Sequence, residues 1–158
     1  MKRPGHQVCL LLGSNIRPEY HLPLAVALLR QELTILRVSS VWESAPVGGQ
    51  GPNYLNAAVL AISQRNALLL KKRILRPLEA QLGRIRSTDK NSPRPIDLDI
   101  IFFDHQLLDP TLWDHAFRAV PVSEILPPDL AELVRPLSAA AASLAATDLV
   151  RLRADVLL

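Results

Sequence analysis

The segment Arg94-Pro95-Ile96-Asp97-Leu98-Asp99-Ile100 carries the clearest local pattern in the chain. Apolar and acidic residues alternate in it, which indicates a strand with one buried face. Because alternate strand residues point to the same side, Asp97 and Asp99 are expected to face one way and their apolar neighbours the core. Their Cα atoms would lie roughly 6.5 to 7 Å apart, a separation that suits hard cations bound between two carboxylates. A solvated strand end with two ordinary surface aspartates is the alternative.

Positive charge is concentrated just before this strand. Four arginines lie within 19 residues, at positions 76, 84, 86 and 94. Guanidinium groups beside a carboxylate pair are typical of a polyphosphate site, in which arginines and metal neutralise phosphate oxygens. A salt-bridged surface loop would give the same pattern. The sequence contains neither the phosphate-binding motif Gly-x-x-x-x-Gly-Lys-Ser/Thr nor a Rossmann fingerprint.

Periodicity and breaker residues predict the elements that precede this strand. The first half contains a strand at 8–12, a helix at 23–31 with Pro23 in its first turn, a strand region at 33–44, a loop at 45–52 and a strand at 54–62. A second helical region then runs from the Asn66 cap to Gly83, with a kink or restart at Pro77. A polar loop at 84–94 follows it. With 95–103 as the last strand, this order predicts an α+β fold, a ferredoxin-like split βαβ sandwich.

The C-terminal third is predicted to be helical but interrupted. Prolines at 121, 127, 128 and 136 are expected to break any long element, and the alanine-rich segment 138–146 favours a closing helix. The length of 158 residues, with 49% hydrophobic and 21% charged residues, suits one compact domain over 1–158 with a C-terminal helical extension.

Composition limits the classes of function. The single cysteine, Cys9, lies in an apolar run and is expected to be buried, so no disulfide framework is predicted. No apolar stretch reaches the length of a membrane span or of a signal-peptide core, which favours a cytoplasmic protein without a membrane partner. The net charge of +3 favours an anionic ligand. A single-stranded RNA-binding module is the rival class, but aromatic residues make up only 4% of the chain, so no nucleic-acid partner is expected.

Tyr54 and Asn56 form a second candidate site. They are two residues apart in a predicted strand, so the aromatic ring and the amide are expected to face the same side. Such a pair can stack on and hydrogen-bond a flat heterocycle. A half-buried tyrosine and an asparagine that satisfies a loop are the alternative.

Taken together, these residues resemble the 6-hydroxymethyl-7,8-dihydropterin pyrophosphokinase family of folate biosynthesis. The resemblance covers roughly residues 8–103 and depends on five segments in the family's order. They are Leu12-Gly13-Ser14-Asn15, Val38-Ser39-Ser40 leading to Pro46-Val47-Gly48, Tyr54-Leu55-Asn56-Ala57-Ala58-Val59, Glu79 with Gly83-Arg84-Ile85-Arg86, and Pro93-Arg94-Pro95-Ile96-Asp97-Leu98-Asp99-Ile100.

The resemblance implies transfer of the terminal pyrophosphoryl group of ATP to the pterin's hydroxymethyl oxygen, with release of AMP. It implies that Asp97 and Asp99 bind two Mg²⁺ ions and that, with Arg84 and Arg94, they form the catalytic group. It further implies a nucleotide site and a pterin site. The nucleotide site would use Arg84, Arg86, Arg94 and His115, and the pterin site would use Ser44, Ala45, Val47, Tyr54, Asn56, Asp97 and Phe117.

Two departures from the family pattern concern ATP. Asn91 stands where the family commonly has a tryptophan that covers the nucleotide. The stretch between Asp99 and Phe117, which usually carries a Pro-His element and further basic residues, is shortened, and only His115 and Arg118 lie near enough in sequence to substitute. A relative that binds pterin or nucleotide without turnover is therefore a further alternative. The sequence does not indicate an oligomeric state.

Overall fold

One antiparallel sheet lies at the centre of residues 4–90 and 92–158, the residues that the computed structural model of this chain describes. Its seven strands within those residues are β1 (His6–Ser14), β2 (Thr34–Val38), β3 (Trp42–Ser44), β4 (Tyr54–Ser63), β5 (Asp97–Phe103), β6 (Gln106–Leu107) and β7 (Val150–Leu152).

The strand order is β6-β5-β1-β4-β3-β7, and β2 pairs with the other part of β4. Strand β1 thus lies between β5 and β4, and all strand pairs are antiparallel. This is the strand order of the split βαβ arrangement. The predicted α+β, ferredoxin-like fold is therefore confirmed, while the extent of the domain over 1–158 stays a prediction.

Helices cover both faces of the sheet. They are α1 (Pro18–Glu32), α2 (Ala67–Leu70), a π-helical turn (Lys71–Leu75), α3 (Arg76–Gln81), α4 (Ala116–Ile125) and α5 (Ala131–Thr147), with short 3-10 turns at Pro110–Trp113 and Pro128–Leu130. Apolar residues of α1 to α3 pack with β1, β4 and β5 in one core, and those of α4 and α5 pack against the opposite face. Within the described residues, no helix combines the length and apolar character needed to cross a membrane.

The first helix begins earlier than predicted. It begins at Pro18, which takes the first-turn position that the sequence analysis assigned to Pro23, and Pro23 lies inside the helix. Leu22 precedes Pro23 and is fully buried with the rest of the apolar face. Packing of that longer face offsets the hydrogen bond that an internal proline removes.

The second helical region has the predicted cap, restart and stop. The side chain of Asn66 accepts a hydrogen bond from Leu69 N at 2.9 Å. Regular helix gives way to the π-helical turn, and α3 then begins with Pro77 in its first turn, where a missing N–H costs little. Gly83 follows the helix with φ of 96°, a conformation that a side chain would disfavour.

The C-terminal prediction is partly wrong. Helix α4 runs through Pro121 and α5 runs through Pro136, so these prolines do not interrupt their helices. Each lies at the sixth helical position, and Pro121 is buried with the apolar face of α4 against the sheet. Packing thus outweighs the local cost of proline at this site. Strand β7 follows and pairs with β3, an element that the sequence analysis did not predict.

The single cysteine is free and buried, as expected. Burial raises the pKa of the Cys9 thiol to about 12, so it stays protonated at neutral pH.

Candidate active site

The centre of the site is a row of residues across three strands. Gly13 on β1 pairs with Asn56 on β4 and with Asp97 on β5. A Cβ atom at Gly13 would lie 3.5 Å from Asn56 Oδ1 and 3.7 Å from Tyr54 Cδ1. The missing side chain therefore leaves open the floor of a cleft above the sheet.

This cleft, called here the sheet cleft, has a volume of about 310 Å³. Its lining includes Ser44, Ala45, Val47, Tyr54, Asn56, Asp97, Asp99, His115 and Phe117. Eight of these residues come from three separate parts of the chain and were predicted to bind the pterin or ATP, and the ninth, Asp99, was predicted to bind metal. The structure brings them to one concave surface, between the β3–β4 loop, the sheet and the beginning of α4.

The floor of the sheet cleft is polar and its wall aromatic. Asn56 Nδ2 donates hydrogen bonds to Ser44 Oγ at 2.9 Å and to the Trp42 carbonyl at 3.1 Å, which leaves Oδ1 on the side of Gly13. The rings of His115 and Phe117 are stacked with their centroids 5.0 Å apart. An oriented amide and a flat aromatic surface in the lining of one cleft are a suitable environment for a planar heterocycle.

A second concavity, called here the arginine cleft, adjoins the first. Its basic residues include Arg76, Arg84, Arg86, Lys90, Arg94 and Arg118. The two clefts share Lys90, Arg94, Asp97, Asp99, Thr111 and Arg118. A ligand in one cleft can therefore meet a ligand in the other beside the two aspartates.

The two aspartates differ in their partners. Asp97 pairs with Arg84 through one carboxylate oxygen and with Arg94, at 3.0 Å, through the other. Asp99 is more exposed, at 43% against 24% for Asp97, and Arg118 Nη1 lies 3.9 Å from its Oδ2. Although part of the Asp99 side chain is exposed, the surrounding protein desolvates the carboxylate, and this desolvation, followed by the neighbouring charge of Asp97, raises the pKa of Asp99 to about 6. A bound divalent cation would favour the ionised form of this group.

A buried glutamate supports the arginines. Glu79 has a side chain only 3% exposed, and its Oε2 pairs with Arg86 Nη2 at 2.7 Å and with Arg84 Nη1 at 3.6 Å. Its Oε1 accepts a hydrogen bond from Leu98 N at 3.2 Å, between the two aspartates in sequence. Burial raises the pKa of Glu79 to about 7, and the charge of Arg84 opposes that effect. Glu79 thus links α3, the loop that carries Arg84 and Arg86, and β5.

Asn15 fixes the backbone of Arg94. Its side-chain oxygen accepts a hydrogen bond from Arg94 N at 2.8 Å, and its own backbone N–H donates to the Arg94 carbonyl at 3.2 Å. The segment after β1 therefore holds the loop that enters β5.

The donor set suits a cation that takes few protein ligands. No group of three or more His, Cys, Asp and Glu side chains that could hold a metal ion occurs among residues 4–90 and 92–158. Two carboxylates facing a cleft fit Mg²⁺, which completes its octahedral shell with water and phosphate oxygens. They do not fit a closed structural metal site.

The structure adds to the sequence-based assignment of the site residues. His115, predicted on the nucleotide side, lines the sheet cleft beside Phe117, and its role in nucleotide binding stays a prediction. Asn91 lies outside the described residues. Lys90 and Thr111 line both clefts, and the sequence analysis did not select them, because neither belongs to a periodic segment or to one of the quoted motifs.

Comparison with known proteins gives one consistent match. The family model described as 7,8-dihydro-6-hydroxymethylpterin-pyrophosphokinase (HPPK) matches residues 9–127. A 2-amino-4-hydroxy-6-hydroxymethyldihydropteridine pyrophosphokinase of Bacillus subtilis is 34% identical, covering 73% of this chain and 75% of that protein. The protein of the same name from Synechocystis sp. is also 34% identical, covering 77% of this chain and 67% of its own length.

Longer proteins also match. A folate synthesis bifunctional protein of Arabidopsis thaliana is 28% identical, and this chain spans 27% of its length. A crystal structure of an HPPK-DHPS in complex with substrates aligns with a TM-score of 0.52 at 16% identity, over 65% of this chain and 29% of that one. This last match concerns the fold alone.

Proposed function

Because the chain belongs to the 7,8-dihydro-6-hydroxymethylpterin-pyrophosphokinase family, we propose that its two clefts divide the reaction of that family between them. The chain is an ATP-dependent pyrophosphokinase that acts on 6-hydroxymethyl-7,8-dihydropterin in folate biosynthesis. On this proposal the pterin alcohol binds in the sheet cleft, and the triphosphate of ATP binds in the arginine cleft. The observation that carries the division is that the clefts meet at Asp97 and Asp99.

The proposed pterin site uses the polar floor and the aromatic wall of the sheet cleft. Asn56, held by Ser44 and the Trp42 carbonyl, presents its amide oxygen to ring N–H groups of the heterocycle. Tyr54 and Phe117 supply flat surface, while Ala45 and Val47 close the side formed by the β3–β4 loop. A buried amide oxygen left unpaired would penalise ring systems without a matching donor.

The proposed phosphate site uses Arg84, Arg86 and Arg94. Their planar guanidinium groups can meet two phosphate oxygens at once. Arg84 and Arg94 both pair with Asp97, and Arg86 pairs with Glu79. Phosphate oxygens would take over part of that pairing when the nucleotide binds, which keeps the arginines oriented before and after binding.

Asp97 and Asp99 would hold Mg²⁺, and we expect two ions, as the family resemblance implies. When bound, such cations would offset the negative charge of the triphosphate and could polarise the attacking hydroxyl. The chain's own residues orient the two substrates, so that the hydroxymethyl oxygen of the pterin can attack the β-phosphorus of ATP. The bond from that phosphorus to the oxygen bridging to the α-phosphorus breaks, the hydroxyl proton is released, and AMP leaves.

The test is AMP formation from ATP, Mg²⁺ and the pterin alcohol by the wild-type chain and by Asp97→Ala and Asp99→Ala. Each substitution should remove nearly all turnover, because one carboxylate cannot fix two cations. Asp114→Ala is the matched control, since Asp114 is an exposed aspartate outside both clefts. Wild-type turnover in either active-site variant would refute the assignment of the metal pair.

A further inference from the structure

Arg118 occupies the boundary between the two clefts. It is the third residue of α4 and lines both of them, with a side chain 22% exposed. Its Nη1 lies 3.1 Å from Asp109 Oδ2 and 3.9 Å from Asp99 Oδ2. Its guanidinium carbon is 5.3 Å from the centroid of the Phe117 ring. The guanidinium is therefore near both Asp99, a proposed metal ligand, and Phe117, a proposed pterin-binding residue.

The guanidinium of Arg118 makes incomplete use of its donors. It has five N–H groups, yet its hydrogen bond to Asp109 uses Nη1 alone. Its Nε is buried and has no hydrogen-bond partner among the described residues. An arginine whose sole purpose is to fasten a helix would be expected to use the fork of its guanidinium on the carboxylate. Arg118 instead retains donors for a further acceptor.

Asp109 is held in place independently of Arg118. Its Oδ1 accepts hydrogen bonds from Thr111 N, at 3.0 Å, and from Thr111 Oγ1. Its Oδ2 is the oxygen that binds Arg118. The carboxylate is therefore a fixed point in the lining of the arginine cleft, and it holds Arg118 beside Asp99.

We propose that Arg118 is a further phosphate-binding residue of this enzyme, and that Asp109 competes with the nucleotide for it. When a nucleoside triphosphate fills the region shared by the clefts, the guanidinium exchanges its single bond to Asp109 for phosphate oxygens, which it can meet with two donors. This inference rests on the proposed placement of ATP in the arginine cleft. It supplies a cation close to the shortened segment between Asp99 and Phe117.

The competing explanation is a structural bridge in which Arg118 and Asp109 only fasten α4 to the 3-10 turn. The two explanations predict opposite effects for Asp109→Asn. Asparagine keeps an oxygen for the Thr111 bonds but loses the charge that holds Arg118. If the pair is only a structural bridge, this substitution weakens the bridge and nucleotide affinity should fall or stay the same. If Asp109 competes with the nucleotide for Arg118, the substitution removes the competitor and nucleotide affinity should rise.

The experiment measures the dissociation constant of α,β-methylene ATP with Mg²⁺ by calorimetry. The proteins are the wild type, Arg118→Ala, Asp109→Asn, the double variant, and Arg30→Ala as the control for one lost surface charge, since Arg30 is exposed on α1. We expect Arg118→Ala to weaken binding about tenfold or more, as for the loss of a charged hydrogen bond. Asp109→Asn should tighten binding, and this gain should vanish in the double variant.

Three outcomes would overturn the inference. They are an Arg118→Ala affinity no weaker than that of Arg30→Ala, equal weakening by Arg118→Ala and Asp109→Asn, and a gain from Asp109→Asn that persists without Arg118. The last would show that Asp109 acts by long-range charge alone. Arg118→Gln, which keeps most of the side-chain volume, replaces the alanine variant if that variant fails to fold. A wild-type chain that does not bind the analogue would refute the placement of ATP itself, and with it this inference.

Discussion

Glu79 gives the sharpest prediction about stability, through the variant Glu79→Gln. Its carboxyl group is almost fully buried between α3, the loop that carries Arg84 and Arg86, and β5. Burial raises its pKa to about 7, which means that the surroundings only partly compensate the charge of the buried carboxylate that forms as pH rises above neutral. Glutamine has nearly the same shape as the protonated acid and cannot ionise.

The magnitude follows from the pKa of Glu79 in the two states. An ordinary value of 4.5 in the unfolded chain and about 7 in the folded chain correspond to about 3 kcal/mol, at 1.36 kcal/mol for each pH unit. Because the folded pKa is the higher one, the folded chain binds more protons between these values, and stability falls as pH rises. The cost is absent below about pH 4.5 and complete above about pH 7. Glu79→Gln should remove it.

The assay is urea unfolding of both proteins at several pH values between 4.5 and 8. The two free energies of unfolding should agree within about 1 kcal/mol at pH 4.5 and diverge by about 3 kcal/mol in favour of the variant at pH 8. Asp99, whose raised pKa acts in the same direction, is present in both proteins and cancels in the difference. Glu32→Gln, at an exposed glutamate, should show no such divergence. A flat difference, or a variant that loses stability with rising pH, would refute the reasoning and indicate that Arg84 and Arg86 keep Glu79 ionised.

Two predictions concern catalysis and substrate binding. Arg94→Ala should lower kcat roughly 10²-fold with a smaller effect on KM for ATP. Arg94→Lys should recover part of the lost kcat, because lysine restores the charge but not the planar fork of the guanidinium. Steady-state AMP formation measures both constants, and a change in KM alone would contradict the prediction. Gly13→Val should raise KM for the pterin about tenfold while leaving the affinity for the ATP analogue unchanged. The reason is that the new side chain would fill the space beside Asn56 Oδ1 and Tyr54. Equal losses of affinity for the pterin and for the ATP analogue would contradict this prediction.

Local sequence patterns predicted the elements well wherever periodicity and capping agree. The alternation around Asp97 and Asp99 predicted a strand with both carboxylates on one face, and they line the same clefts. Asn66 and Gly83 predicted the beginning and the end of the second helical region, because a side-chain cap and a left-handed glycine depend only on nearby backbone. The order of these elements then predicted the sheet.

The prolines show where local patterns fail. Pro23, Pro121 and Pro136 all lie inside helices, although sequence reasoning placed them at helix starts or breaks. Propensity counts a lost hydrogen bond, whereas the folded chain also gains the burial of a continuous apolar face. The pairing of β7 with β3 was not predicted because a three-residue segment is too short to show a periodic pattern, and its partner strand is far away in sequence.

The assembly of the site was decided by tertiary structure. The chain's own residues indicated an acidic pair, an arginine cluster and an aromatic-amide pair, and the family resemblance proposed their roles. Only the register of β1 with β4 and β5 brings Gly13 between Asn56 and Asp97. Only the packing of α4 places Phe117 and His115 over one cleft and Arg118 beside Asp99. Register and helix docking depend on burial between residues far apart in sequence, which local periodicity does not encode.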